Sequence, residues 1–439
     1  MQTNLCRYQP VSHLNAVRLL TPTAPVENHP VRATIPLASS KSESNRALIL
    51  DALTGFRCDL QNLSTARDTQ TMIRLLKSTD PVADVLDAGT TMRFLTAYFA
   101  VTGQDKTMTG TPRMCERPIG ILVDALRTLG ADITYLNNDG YPPLQLKGFQ
   151  YTGSNHVSIR GDVSSQYISA LLMIAPLLPD GLVLYLTGAI GSRPYIEMTI
   201  EQMRYFGATI IPDWEARTIS VAPKPYLPKP YQIESDWSGA SYWYSMVALS
   251  NDEQTEIELL GLKPNSLQGD SAIAAIMRSM GVVSQFTDRS VRLTKGPAEP
   301  SLSWDFTHCP DLAQTVAVCA AIKGIALTLT GIESLKIKET DRVLALQTEL
   351  RKIGSELVEV EKDHRYQIRP RIADTHTSPV RIHTYDDHRM AMAFAPVAMQ
   401  RDIVIEEPRV VDKSYPSFWE DVARVLTVEL IDEGQKYPA

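Results

Sequence analysis

The sequence predicts an α/β fold made of repeated units in two domains, and three observations carry that reading. An acidic residue leading into a small-residue, apolar helix recurs at Asp87, Asp162, Asp236, Asp311 and Asp387, in steps of 75, 74, 75 and 76 residues. An amphipathic helix closed by glycine recurs at Gly130, Gly207, Gly281 and Gly354, in steps of 77, 74 and 73. Short β-like runs lie between them, at 182–186, 208–211, 291–293, 326–330 and 403–405. Two independent markers keeping one period indicate internal repetition, here six units in two domains of three.

In chain order, residues 39–53 read as a further helix of the first type, in which Ser40-Lys41-Ser42-Glu43-Ser44-Asn45-Arg46 opens onto Ala47-Leu48-Ile49-Leu50. It stands too close to Asp87 for the period, as expected where the chain crosses between domains. Hydroxyls and free backbone N–H groups at a helix N-terminus, with Lys and Arg beside them, suit a phosphate or carboxylate. They equally suit an ordinary capped helix end. Arg46 sits inside the first turns, where the helix dipole disfavours a cation that has no anion nearby.

The stretch Asp87 to Arg93 repeats the scheme, with Gly89 permitting close approach of a ligand to backbone, although the Walker spacing is missing. Glu116-Arg117-Pro118 and Ser192-Arg193-Pro194-Tyr195 place proline at the expected first helical position with arginine just before it. Ser164-Ser165-Gln166 offers three neutral donors, suited to sugar hydroxyls and phosphate oxygens. The four prolines of residues 223–230 read as a crossover or edge segment.

Asp311, after Pro310, reads either as a helix cap or as a general base. Five of the seven residues from Lys336 to Arg342 are charged, with both signs interleaved. A helix follows, with Val343, Leu346, Leu350 and Ile353 on one face and Gly354 at its end. Such a cluster suits a multiply anionic ligand with one carboxylate free to move a proton, and also a solvated helix end. Tyr385-Asp386-Asp387-His388-Arg389 precedes a Met/Ala-rich core helix, and Lys413 completes the cations. If these helix ends converge, they form an electropositive pocket inside an acidic protein.

Composition narrows the function classes. With 43 Lys and Arg against 50 Asp and Glu, the net charge is −7, and the cations are dispersed, which argues against a nucleic-acid partner. No apolar run approaches the ~18 residues of a membrane span, and residues 1–14 lack the apolar core of a signal peptide. Five scattered cysteines without a CxxC pair point to a reducing cytoplasm rather than a disulfide framework or zinc site. The eight histidines show no metal-ligand spacing, so no metal is expected.

Taken together, the motifs resemble the 5-enolpyruvylshikimate-3-phosphate synthases, or 3-phosphoshikimate 1-carboxyvinyltransferases. The resemblance runs from Ile35 to Phe418 and rests on Ser40-Lys41-Ser42-x-Ser44-Asn45-Arg46, Ala88-Gly89-Thr90-x-Met92-Arg93 and Pro112-Arg113-Met114-x-Glu116-Arg117-Pro118-Ile119. It rests further on Val163-Ser164-Ser165-Gln166, Lys338-Glu339-Thr340-Asp341-Arg342 and Asp387-His388-Arg389-Met390-Ala391-Met392. The UDP-N-acetylglucosamine enolpyruvyl transferases share the architecture and lack this pairing of lysine motifs. They are the alternative enzyme reading, and a non-catalytic anion-binding protein on the same scaffold is the alternative of another class.

The resemblance implies two domains of three βαβαββ units, residues 38–234 and residues 1–37 with 235–439, with the ligand cleft between them. It implies transfer of the carboxyvinyl group of phosphoenolpyruvate to the 5-hydroxyl of shikimate 3-phosphate by addition and elimination. No metal or organic cofactor is implied, and monomer is the default state. Shikimate 3-phosphate would meet Lys41, Ser42, Arg46, Ser164, Ser165, Gln166, Ser192, Tyr195, Asp311, Ser334 and Lys338. Phosphoenolpyruvate would meet Lys41, Gly89, Arg93, Arg117, Gln166, Arg342, Asp387, Arg389 and Lys413. Asp311 is assigned as base, Glu339 as acid, and Lys41 as an aid to proton transfer. The chain departs from the common pattern at Ala38-Ser39, Asp87, Phe94 and Ser334. A carboxylate at Asp87 is expected to weaken anion binding unless it is turned away or paired.

Overall fold

Among the described residues, five four-stranded sheets obey one pairing rule: an outer strand runs parallel to its neighbour, and the other two pairings are antiparallel. The computed structural model describes residues 16–22, 31–162, 164–369 and 379–431. Strands His156–Arg160 and Leu182–Thr187 illustrate the unit: they pair in parallel, and helix Ser165–Ile174 makes the crossover that a parallel pair requires. Helix Arg193–Tyr205 then leads to Ile210–Asp213 and Thr218–Val221, which close the sheet antiparallel. The sixth unit is reduced among the described residues to a two-stranded parallel pair, Leu60–Gln61 with Tyr231–Gln232.

The first two strands join sheets whose other members come from the far half of the chain. Ala16–Leu20 lies between Ile403–Glu406 and Thr427–Ile431, and Arg32–Pro36 runs parallel to Glu256–Leu260. Two separate hydrophobic clusters result, one spanning Leu48 to Tyr226, the other joining Val17, Leu19, Ile35 and Leu37 to residues from Trp237 to Leu426. The chain crosses between them twice, and the crossings pair with each other: Ser40 N donates to Glu234 O (2.9 Å) and Asp236 N to Ala38 O (2.8 Å).

The two helix types take different places for a physical reason. Small-residue helices are apolar all round and lie central; every residue of Trp237–Leu249 is buried. Glycine-ended helices bury one stripe only. In Arg342–Lys352, Val343, Leu346 and Leu350 are buried while Leu344 is 60% exposed, and Ile353 and Gly354, the latter at φ 78°, close the helix.

Two local expectations need correction. The helix after Pro118 opens at Gly120, because Ile119 N and Gly120 N both donate to Gly140 O, leaving Pro118 two residues outside. Helix Arg193–Tyr205 begins on Arg193 itself, with Pro194 second and Ser192 at φ 52°. Asp162 leads into helix Ser165–Ile174 as expected, pairing with Arg160 at the surface while Ser164 caps the helix. Gly281, one residue past the C-cap of helix Ile273–Ser279 and at φ 87°, closes that helix as Gly354 closes its own, and strand Met280–Phe286 begins there.

Candidate active site

A cleft between the lobes collects the starts of the repeated helices. From one lobe come Lys41, Ser42 and Arg46, then Gly89 and Arg93, then Ser164, Ser165 and Gln166, then Ser192 and Tyr195, with Arg117 from the loop before Gly120. The other lobe contributes Asp311, Ser334, Lys338, Glu339, Arg342 and Arg389. Asp387 and Lys413 lie one layer behind, at 0% and 1% exposure. Seven cations (Lys41, Arg46, Arg93, Arg117, Lys338, Arg342, Arg389) face three carboxylates (Asp68, Asp311, Glu339), so the cleft is electropositive although the chain carries −7. The lobes also touch directly: Ser192 N donates to Thr307 O (3.0 Å), and Arg113 donates to the carbonyls of Lys338 and Glu339 at 3.2 Å each.

On the first lobe each cation is aimed by neighbours within that lobe. Ser40 caps helix Lys41–Leu53, and Lys41 Nζ donates to Asp68 Oδ2 (3.0 Å). Arg46 is buried, with Nε on Thr199 Oγ1 (2.7 Å) and further bonds to Ser42 O and Tyr195 O. Burial pulls its guanidinium down to about 10, and burial with the neighbouring Arg117 does the same to Arg93. Arg93 and Tyr167 both donate to Pro118 O, at 2.7 and 2.6 Å, which fixes the loop carrying Arg117. A Cβ on Gly89 would stand 2.7 Å from Arg117 Nη2, so only glycine lets that guanidinium reach the helix start. Gln166 Nε2 donates to Thr90 Oγ1 (3.2 Å).

The second lobe is organised by Arg342. Its guanidinium donates to Asp387 Oδ2 (2.7 Å), Glu339 Oε2 (2.8 Å) and Asp311 Oδ1 (3.1 Å), which places three carboxylates around one cation. Arg389 Nη2 adds a 2.7 Å bond to the other oxygen of Asp311. Burial alone would raise Asp311, but Arg389, Lys338 and Arg342 hold it below the usual carboxylate range. Glu339 is likewise raised by burial and more than offset by Lys413, Arg342 and Arg117. Burial lowers Lys338, partly countered by Asp311. Both proton-handling candidates are therefore carboxylates in the cleft as it stands.

Several cleft residues escape a reading of motifs. Asp68 and Tyr167 line the cavity outside the quoted motifs, and Thr90 and Pro118 line it from motifs that gave them no role. Asp68 had one usable signal, its place in the first turn of helix Arg67–Lys77. His388 faces the cavity with neither ring nitrogen hydrogen-bonded; burial, then Lys41 and Arg389, keep it neutral. Among the described residues, no three His, Cys, Asp or Glu side chains gather as metal ligands.

Asp270, behind Asp311, is buried and accepts a short hydrogen bond from Ser238 Oγ. Burial, then the charge of Asp311, pushes it up to about 7. The unfolded chain loses this proton near pH 4 and the folded one near 7, so the folded state binds more protons between them. Stability contributed by this group therefore falls as pH rises through that window. Asp270→Asn is expected to gain stability relative to wild type when denaturant unfolding is compared at pH 8 and pH 5. A difference that stays constant with pH would contradict the shift.

Three comparisons bear on this geometry. The sequence model of the family described as EPSP synthase (3-phosphoshikimate 1-carboxyvinyltransferase) matches residues 26–80 and 76–422. A 3-phosphoshikimate 1-carboxyvinyltransferase of Bacteroides fragilis is 49% identical over 397 residues, covering 90% of this chain and 95% of its own. One from Shigella flexneri is 37% identical over 424 residues, covering 90% and 96%. In fold, the chain is similar to an EPSP synthase of Acinetobacter baumannii, with TM-score 0.72 over 94% of this chain and 100% of the other, at 19% identity.

Proposed function

Since this chain belongs to the EPSP synthase family, the 3-phosphoshikimate 1-carboxyvinyltransferases, we propose a division of labour in its cleft for the family's enolpyruvyl transfer. The reaction joins the 5-hydroxyl oxygen of shikimate 3-phosphate to C2 of phosphoenolpyruvate and releases inorganic phosphate. The UDP-N-acetylglucosamine reading and the non-catalytic reading are not favoured. The observation that carries the proposal is the convergence of polar helix starts from both lobes on Asp311 and Glu339.

In the addition step Asp311 takes the hydroxyl proton as the C–O bond forms, and Glu339 delivers a proton to C3. In the elimination step C3 returns a proton and the bond from C2 to the phosphate oxygen breaks, so phosphate leaves with the bonding pair. Opposed transfers need groups in opposite protonation states. Asp311 is already ionised, as a base must be, and it gains basicity when the negative charge of the substrate offsets Arg389, Lys338 and Arg342. Glu339 becomes an acid only when the negative charge of the substrate offsets Lys413 and Arg117, which ties proton delivery to a filled site. Lys41, steadied by Asp68, assists the proton at the bridging oxygen.

Ser164, Ser165, Gln166, Ser192, Tyr195 and Arg46 serve shikimate 3-phosphate in this reading, with Ser42, Ser334 and Lys338 closing around the ring. Gly89, Arg93, Arg117, Arg389 and Lys413 serve phosphoenolpyruvate. Arg342, in the cleft lining and engaged by three carboxylates, serves phosphoenolpyruvate with them, and Asp387 acts behind it. Such electrostatic contacts contribute about 3 kcal/mol per well-placed donor. We set the lobe boundaries at 37/38 and 234/235, a division supported by the pairing of Ala38 with Asp236 and of Ser40 with Glu234 at the two crossings. In this reading the chain works as a monomer in the cytoplasm.

The test is phosphate release from phosphoenolpyruvate. Release that requires shikimate 3-phosphate and does not occur with UDP-N-acetylglucosamine is expected; the reverse acceptor preference would overturn the reading.

A further inference from the structure

Lys413 is enclosed by acids that come from opposite lobes. Its Nζ lies 2.7 Å from Asp87 Oδ2 and 3.1 Å from the Asp87 carbonyl oxygen across the cleft, and 3.3 Å from Glu339 Oε1 on its own side. Its side chain is 2% exposed, so water and salt screen these contacts little. Asp87 is held on its other side by Arg67, whose Nη2 donates to both carboxylate oxygens at 3.0 Å. Separating the lobes would break the Lys413 contact and leave the Arg67 contact whole. Burial alone would raise the Asp87 carboxyl, but Lys413 and Arg67 together hold it below the usual range.

We infer that Asp87 sets the affinity for phosphoenolpyruvate by occupying Lys413 as a built-in anion and by tying the lobes together through it. The inference rests on the reading that Lys413 serves the phosphoenolpyruvate half of the cleft. An incoming phosphate must share or displace a carboxylate already seated on that ammonium. Asp87 touches no reacting atom in this scheme; it is a positioning residue that acts through Lys413. Arg67 has the opposite effect, because it draws the same carboxylate away from Lys413.

Asp87→Asn keeps an oxygen for Lys413 and removes the competing charge. It is expected to lower KM for phosphoenolpyruvate by about tenfold, while KM for shikimate 3-phosphate stays within about twofold. Arg67→Gln, on an exposed side chain, is expected to raise KM for phosphoenolpyruvate severalfold. A merely structural role would move both variants in one direction, so opposite signs identify the electrostatic one. By small-angle scattering without substrates, Asp87→Asn is expected to have the larger radius of gyration, since one tie between the lobes is weakened. Lys413→Met separates the two readings. If it leaves KM for phosphoenolpyruvate unchanged, the assignment of Lys413 fails. If it raises that KM while Asp87→Asn leaves it unchanged or raises it, the inference about Asp87 is overturned. Should Asp87→Asn fold poorly, an unchanged or lowered KM in Arg67→Gln overturns it alone.

Discussion

Asp311→Asn is expected to lower kcat by about 10³-fold while shikimate 3-phosphate binding changes far less, because a general base contributes about 10² to 10⁴ to rate. The amide keeps the size of the side chain and one oxygen for Arg342 or Arg389, but it cannot take the hydroxyl proton. Alanine is the poorer test, since it would leave Arg389 and part of Arg342 buried without their partner. Steady-state kinetics with calorimetric titration of shikimate 3-phosphate separates the two effects. Equal losses in affinity and turnover would make Asp311 a binding residue only, and unchanged turnover would remove it from the mechanism.

Glu339→Gln is expected to reduce kcat by a similar factor, about 10³, through loss of the proton delivered to C3. Its second effect differs from that of Asp311. Glu339 is a negative neighbour of Lys413 and Arg342, so the neutral variant makes the cleft more positive. Phosphoenolpyruvate is therefore expected to bind Glu339→Gln at least as tightly as wild type, while hydrogen exchange into the substrate methylene, followed in deuterated water by NMR, disappears. Exchange that persists at the wild-type rate would assign the acid role elsewhere.

Much of the cleft was legible in the chain because its residues advertise themselves twice, as helix starts and as members of a period. Gly89, Ser164, Asp311 and Asp387 stand at one phase of the period, Lys41 opens a helix of the same type where the period breaks, and the fold brings these starts to one place. What stayed hidden depends on contacts made at long range. Asp68 matters because it touches Lys41 across 27 residues, and Pro118 matters because Arg93 and Tyr167 both donate to its carbonyl. The place of Ala16–Leu20 between strands near residue 405 and residue 430 has no local signature, since β pairing of that span is settled by packing. The start at Pro118 was misplaced for a local reason. Proline favours helix starts in general, yet here the carbonyl of Gly140 took the bonds that fixed where the helix began.

The Asp87 carboxylate shows how far local chemistry reaches. Its charge beside an anion pocket foretold a conflict, and the fold meets it with Arg67 from one side and Lys413 from the other.

A crystal structure of Asp311→Asn with shikimate 3-phosphate and phosphoenolpyruvate would test most directly whether helix starts of both lobes hold two small acids in one cleft. The expected result is both ligands between the lobes, one phosphate against Ser164 and Ser165 and the other against Arg117 and Lys413, with Glu339 near the methylene carbon. Ligands seated outside the cleft, or held by helix starts of one lobe alone, would contradict it.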